Sequence, residues 1–127
     1  MAQGSGSLGV AILADLAGND RYTATQWSQG SGFFGVGILA DWEGNDVYRG
    51  RELCQAVGCV GTGLLVDYAG NDRYEGPRLN QGVGMAAGTG LLVDRSGDDE
   101  YYCKGLYPTG YGTHGITNAS LLRVSLV

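Results

Sequence analysis

Apolar residues in this chain come in short runs that alternate with a period of two: VAILAD, VGILAD, TGLLVD and TGLLVD again. Each run closes on an aspartate and is followed by a GND or GDD turn. Alternation over six residues is strand chemistry, and no stretch sustains helical periodicity for ten or more residues. The runs sit inside a longer unit that is restated four times. QGSGSLGVAILADLAGNDRY from Gln3 returns as QGSGFFGVGILADWEGNDVY from Gln29, QAVGCVGTGLLVDYAGNDRY from Gln55 and QGVGMAAGTGLLVDRSGDDEY from Gln81, the starts spaced by 26 residues. One such unit cannot bury its own apolar face, so the units are expected to stack. The pattern predicts an all-β fold: a single-domain β-solenoid spanning 1–127, with coils over 3–28, 29–54, 55–80 and 81–108. A partial, degenerate coil over 109–127 completes it, in which TGYGTHG echoes the glycine pattern but no GND turn follows.

Stacking at about 4.8 Å per coil turns equivalent residues into columns. Gln3, Gln29, Gln55 and Gln81 form one, and Tyr22, Tyr48, Tyr74 and Tyr101 another. Leu13, Leu39, Leu65 and Leu92 form a third, beside Ile12, Ile38, Leu64 and Leu91. Alternating glycines such as Gly4/Gly6, Gly30/Gly32 and Gly82/Gly84 strip one strand face of side chains, which marks a corner or the close approach of another surface. The next strand is apolar on both faces, so something outside the first core is expected to cover it. One reading folds the coil's own Trp27, Leu53, Leu79 and Tyr107 over that face. The other makes the Leu13/Leu39/Leu65/Leu92 ridge, between glycine grooves, a self-association face. Neither end carries a recognisable polar cap, so the chain is expected either to be excerpted from a longer array or to meet other copies head to tail.

Composition narrows the function classes. Glycine makes up 24 of 127 residues and is placed in register, while the net charge of -5 lacks the clustered Lys and Arg that a nucleic-acid binder needs. No apolar run approaches the roughly 18–20 residues of a membrane helix, and the N-terminus has no basic region of a secretory signal, which leaves the compartment unmarked. Cys54, Cys59 and Cys103 occupy three different positions of the repeat and offer no CxxC pair, so free thiols are expected. His114 is the only histidine and lies in the degenerate coil. The GSGSLG and GSGFFG strings are followed by a strand and not by a helix, which argues against a phosphate loop. Trp27 and Trp42 do not repeat and no threonine ladder runs through the units, so carbohydrate and ice binding are not expected.

All nine aspartates lie in the turn. Asp15, Asp41, Asp67 and Asp94 open it, Asp20, Asp46, Asp72 and Asp99 close it, and Asp98 replaces the asparagine of Asn19, Asn45 and Asn71. Like charges stacked about 4.8 Å apart repel by roughly 1 kcal/mol in water and by about four times that at an effective dielectric near 20, so something must offset them. Two answers stand open. Each carboxylate accepts backbone N–H groups of its own turn, with the asparagines left-handed and water or arginine as further partners. Alternatively, carboxylates of adjacent coils share calcium, which takes six to eight oxygen ligands.

The strings GNDRY at Gly18–Tyr22, GNDVY at Gly44–Tyr48, GNDRY at Gly70–Tyr74 and GDDEY at Gly97–Tyr101 resemble the second half of the calcium-binding nonapeptide of RTX haemolysin-type β-rolls. They also resemble GNDxY-rich repeat arrays of uncharacterised bacterial proteins. The RTX resemblance implies that Asp20, Asp46, Asp72 and Asp99 ligate calcium and that the four tyrosines face the core. The sequence differs from the nonapeptide where Asp-Leu, Asp-Trp, Asp-Tyr and Asp-Arg stand for its leading Gly-Gly, and Arg21 and Arg73 put positive charge beside the turns. The expectation is therefore a non-enzymatic structural or interaction module without a catalytic site, partnered by itself. Its alternative is a calcium-dependent binding domain of an exported bacterial protein, with the eight opening and closing aspartates as candidate ligands.

Overall fold

The computed structural model describes residues 3–103, 116–118 and 121–126, those from 103 onward by backbone only. The first coil contains β1 (Gly6–Ser7), β2 (Val10–Asp15) and β3 (Arg21–Ser28), and the second β4 (Gly32–Phe33), β5 (Val36–Asp41) and β6 (Val47–Cys54). The third holds β7 (Gly58–Cys59), β8 (Thr62–Asp67) and β9 (Arg73–Gly76), and the fourth β10 (Gly84–Met85), β11 (Thr89–Asp94) and β12 (Asp98–Cys103). Two further strands follow, β13 (Ile116–Asn118) and β14 (Leu121–Leu126). They stack as three parallel sheets: β1-β4-β7-β10, β13-β11-β8-β5-β2 and β14-β12-β9-β6-β3. The result is a β-solenoid of about four coils. The described residues contain no helix, hence none long and apolar enough to cross a membrane.

The repeat period sets the register. Ile12 pairs with Ile38 and Ile38 with Leu64, each 26 residues on, whereas Thr62 pairs with Thr89. The extra residue of the fourth repeat is absorbed between Met85 and Thr89, where Ala86 and Ala87 are both left-handed and the Gly88 N–H closes a turn on the Met85 carbonyl at 2.8 Å. Coils above and below keep their ladders because the insertion falls at a corner.

Corners are not built as the sequence predicts. The Gln column turns at φ 54° to 66°, Trp27, Leu53 and Leu79 at 46° to 54°, and Leu8, Phe34 and Val60 at 47° to 55°. Left-handed backbone is unfavourable for such residues, Val above all, so the stacked ladders on either side must hold them there. Asn19, Asn45 and Asn71 are not among the left-handed residues. Their amides form a ladder instead: Asn45 N–H donates to Asn19 Oδ1 at 2.8 Å, Asn71 N–H to Asn45 Oδ1 at 2.8 Å, and Asp98 N–H to Asn71 Oδ1 at 2.9 Å.

The glycine columns serve an approach within the stack, from one coil to the next. A Cβ added at Gly32 would overlap the Thr62 carbonyl oxygen, and one at Gly58 the Thr89 carbonyl. Sheet 1 therefore lies against the backbone of sheet 2, pinching the coil flat. Beyond the pinch the interior holds the leucine column: Leu39, Leu65 and Leu92 are 0% exposed, with Leu13 packed against them. This corrects the expected self-association face, since three of its four leucines are sealed inside. The outward side of sheet 2 carries Ile12, Ile38, Leu64 and Leu91 instead. Trp27 does not cover it, packing on Phe33 at 5.0 Å between ring centroids. Tyr107 and His114 lie outside the described residues.

Candidate functional site

Beside the leucines, each coil brings one tyrosine inward from the third sheet and two aspartates from the turn between the second and third sheets. Tyr22, Tyr48, Tyr74 and Tyr101 stack face to face, with centroids 4.9, 4.8 and 4.6 Å apart and planes within 8° of parallel. Coil spacing imposes this ring spacing, which lies within the range of favourable offset stacking. The four tyrosines face the core as the sequence implies.

Their hydroxyls end among the opening aspartates. Tyr22 lies 2.8 Å from Asp15 Oδ2 and 2.8 Å from Asp41 Oδ2, and Tyr48 lies 3.0 Å from Asp41 Oδ2 and 2.7 Å from Asp67 Oδ2. Tyr74 is 3.2 Å from Asp67 Oδ2, and Tyr101 is 2.6 Å from Asp94 Oδ2. A phenol has one hydrogen to donate. Tyr22 and Tyr48 each stand between two carboxylates and satisfy one at a time, so positive charge is short in this interior.

The closing aspartates take backbone donors, but from the coil before and not from their own turn. Asp20 N–H donates to Asp46 Oδ1 at 2.6 Å, Asp46 N–H to Asp72 Oδ1 at 2.7 Å, and Asp72 N–H to Asp99 Oδ1 at 2.9 Å. The ladder thus runs opposite in sense to the asparagine ladder, pinning each turn to its neighbours by two strands of side-chain acceptors. The described arginines Arg49 and Arg73 pair elsewhere. Arg73 bonds Glu75 and Glu100, and Arg49 bonds Glu75 at 2.6 Å, on the exposed side of the third sheet.

Electrostatics follow from burial. Asp41, Asp46, Asp67, Asp72, Asp94 and Asp99 are 0–2% exposed, and they are the buried charged residues among those described. Desolvation pushes the Asp46 carboxyl up to about 6, that of Asp94 to about 7 and that of Asp72 to about 8, with neighbouring carboxylates adding to each. Desolvation also raises Asp41 and Asp67 against the lowering effect of the tyrosine hydroxyls. Asp15 and Asp20 of the first coil are only half-buried. The eight candidate residues are thus brought onto one line inside the coil, with six of them withdrawn from water.

Two features escaped the sequence reading. Gln29 Nε2 donates to the Tyr22 and Arg49 carbonyls at 2.8 and 3.1 Å, Gln55 Nε2 to those of Tyr48 and Glu75, and Gln81 Nε2 to those of Tyr74 and Tyr102. Each glutamine therefore staples two successive coils, a role that the column of identical residues at a corner could have announced. Asn80 is buried and accepts from Cys54 N–H at 2.6 Å. Cys54 and Cys59 are free thiols, and burial pushes the Cys54 thiol up to about 11.

An open groove of about 540 Å³ crosses the outside of the third sheet, lined by Arg49, Arg51, Arg73, Glu75 and Tyr102 over Gly50 and Gly76. Two of its arginines are already paired with Glu75, which lowers the Glu75 carboxyl. Comparison with known protein families, curated proteins and solved structures finds no match. The class of the protein is thus defined by its stacked coils, as a β-solenoid with an acidic, tyrosine-lined interior.

Proposed function

We propose that this chain is a non-catalytic interaction module that associates with further copies of its own coil, using the apolar outer face of the second sheet and the adjoining first coil. The observation that carries the reading is the character of the outward positions. Val10, Ile12 and Ala14 are followed in register by Val36, Ile38 and Ala40, then by Leu64 and Val66, and then by Leu91 and Val93. Exposure concentrates at the first coil, where Leu8 is 82%, Val10 71%, Ile12 66% and Leu16 72% exposed. An exposed contiguous apolar surface favours a partner, each aliphatic side chain gaining about 1.5–3 kcal/mol when fully buried.

A second coil of the same kind suits this surface chemically, because among the described residues β2 pairs on one side only, with β5, and its other edge offers N–H and C=O groups to a further strand. Such a coil comes from another copy or from a longer array. Static light scattering over a concentration series tests the reading. The chain is expected to associate as concentration rises, and Ile12→Lys to shift it toward monomer with an unchanged circular-dichroism spectrum. A species that stays strictly monomeric at high concentration would sink the proposal. The second reading, a calcium-dependent domain, concerns the interior and draws on the carboxylate oxygens described next.

A further inference from the structure

The buried aspartates are not evenly spread along the interior. They gather into two triads, Asp41/Asp46/Asp67 and Asp72/Asp94/Asp99, and in each triad three carboxylates bring an oxygen within 4.8 Å of the other two. The first triad joins the second and third coils, and the second joins the third and fourth. In both, two carboxylates keep a fully buried oxygen with no hydrogen-bond partner: Asp46 Oδ2 and Asp67 Oδ1 in one, Asp72 Oδ2 and Asp94 Oδ1 in the other. The orphans come from the same two structural positions each time, a closing aspartate and the opening aspartate of the next coil. An ionised carboxylate only accepts, so two buried orphan oxygens within one triad call for a positive charge among them.

We propose that each triad holds one hard divalent cation, with calcium as the best fit, so that the folded chain carries two ions in its interior. The donor set is oxygen alone, which suits calcium or magnesium and not the softer metals that select imidazole or thiolate. Coordination chemistry favours the larger ion. Calcium takes six to eight oxygens in flexible geometry, whereas magnesium demands a near-ideal octahedron and keeps several waters, which a buried triad of carboxylates does not suit. Three carboxylates supply up to six oxygens, and an oxygen that accepts from Tyr48 or from Asp20 N–H still has a lone pair for a metal. Among the described residues the buried charged groups are all aspartates, so a cation would supply a charge that these coils lack. Desolvation already raises the carboxyls of Asp46, Asp67, Asp72 and Asp94, and a bound cation reverses that effect. The proposal goes beyond the association face and does not depend on it, since every ligand is internal to one chain.

Terbium is the probe, because the Tyr48 and Tyr74 hydroxyls contact Asp67 of the first triad and the Tyr101 hydroxyl contacts Asp94 of the second. The full chain is refolded from denaturant with terbium, since the sites are closed in the folded state. Excitation of tyrosine is expected to give terbium emission that saturates at two ions per chain and is displaced by calcium. Calcium added during refolding is expected to raise Tm relative to EDTA. Asp67→Asn and Asp94→Asn should each reduce the stoichiometry from two to one, while Glu43→Gln at an exposed acid leaves it at two. Should either asparagine variant fail to fold, elemental analysis of the gel-filtered wild-type chain decides, two calcium ions supporting the proposal and none overturning it. Absent tyrosine-sensitised emission overturns it. So does a stability indifferent to calcium and EDTA that declines as pH rises from about 4 to 8, because the triads would then be neutralised by protons.

Discussion

A phenol with one hydrogen stands between two buried carboxylates where the second and third coils meet, and this sets the stakes at the scale of the residue. Tyr48 is 0% exposed, with its ring between Tyr22 and Tyr74. Removing its hydroxyl leaves Asp41 Oδ2 and Asp67 Oδ2 only the hydroxyls of Tyr22 and Tyr74, and a buried polar group short of a donor costs about 1–3 kcal/mol. Tyr48→Phe is therefore expected to lose that much stability in urea titration with little change in m-value, whereas Tyr68→Phe, on the outward Trp42 stack, stays within about 0.5 kcal/mol. Equal effects would show that the hydroxyl contacts do not stabilise the fold. The inward tyrosine was legible, because a large residue after a turn in a half-buried strand has one place to go. Its partners were not. Asp41 and Asp67 lie 7 and 19 residues from Tyr48, separations set by the path of the coil and not by any local motif.

At the scale of the element, alternation announced a strand but not which of its faces is inside. In VGILAD both the Val36/Ile38/Ala40 and the Gly37/Leu39/Asp41 sets read as core or near-core, and hydrophobicity alone favours the isoleucine side as much as the leucine side. Glycine decided it. Because Gly37 has no Cβ, the Ser31 and Gly4 carbonyls lie against that face, and Leu39 and Asp41 point inward with it. The same pinch predicts a sharp contrast between two glycines. Gly32→Ala would drive a methyl into the Thr62 backbone and is expected to cost about 2–3 kcal/mol, while Gly9→Ala meets nothing nearer than the Ser7 carbonyl oxygen at 3.9 Å and is expected to be near neutral. Thermal or urea unfolding of the two variants checks this. A tolerated Gly32→Ala would mean that the first and second sheets lie further apart than described. Corners were legible only in position. Gln and large apolar residues hold them in left-handed backbone, where local propensity would have put Gly or Asn, because pairing to coils above and below overrides preference.

At the scale of the whole molecule, each coil touches only its neighbours, so stability is a sum of coil terms and junction terms and need not be uniform along the stack. The second and third coils are paired on both sides, with β5 between β2 and β8 and β8 between β5 and β11, and they carry the fully buried Leu39, Leu65, Tyr48 and Tyr74. Among the described residues the first coil has one junction, a half-exposed Leu13 and the outward Val10 and Ile12. Amide hydrogen exchange is therefore expected to be slowest at the Ile38 and Leu64 positions and faster at Ile12, although all three sit at the same place in the repeat. Sequence identity cannot produce such a gradient, since the coils are near copies, so it must come from the count of neighbours. Raising protein concentration discriminates further. If copies associate through the first coil, exchange at β2 should slow with concentration while β5 and β8 hold constant. Uniform protection at all four coils and at every concentration would mean that the stack opens as one unit and that the first coil gains nothing from a partner.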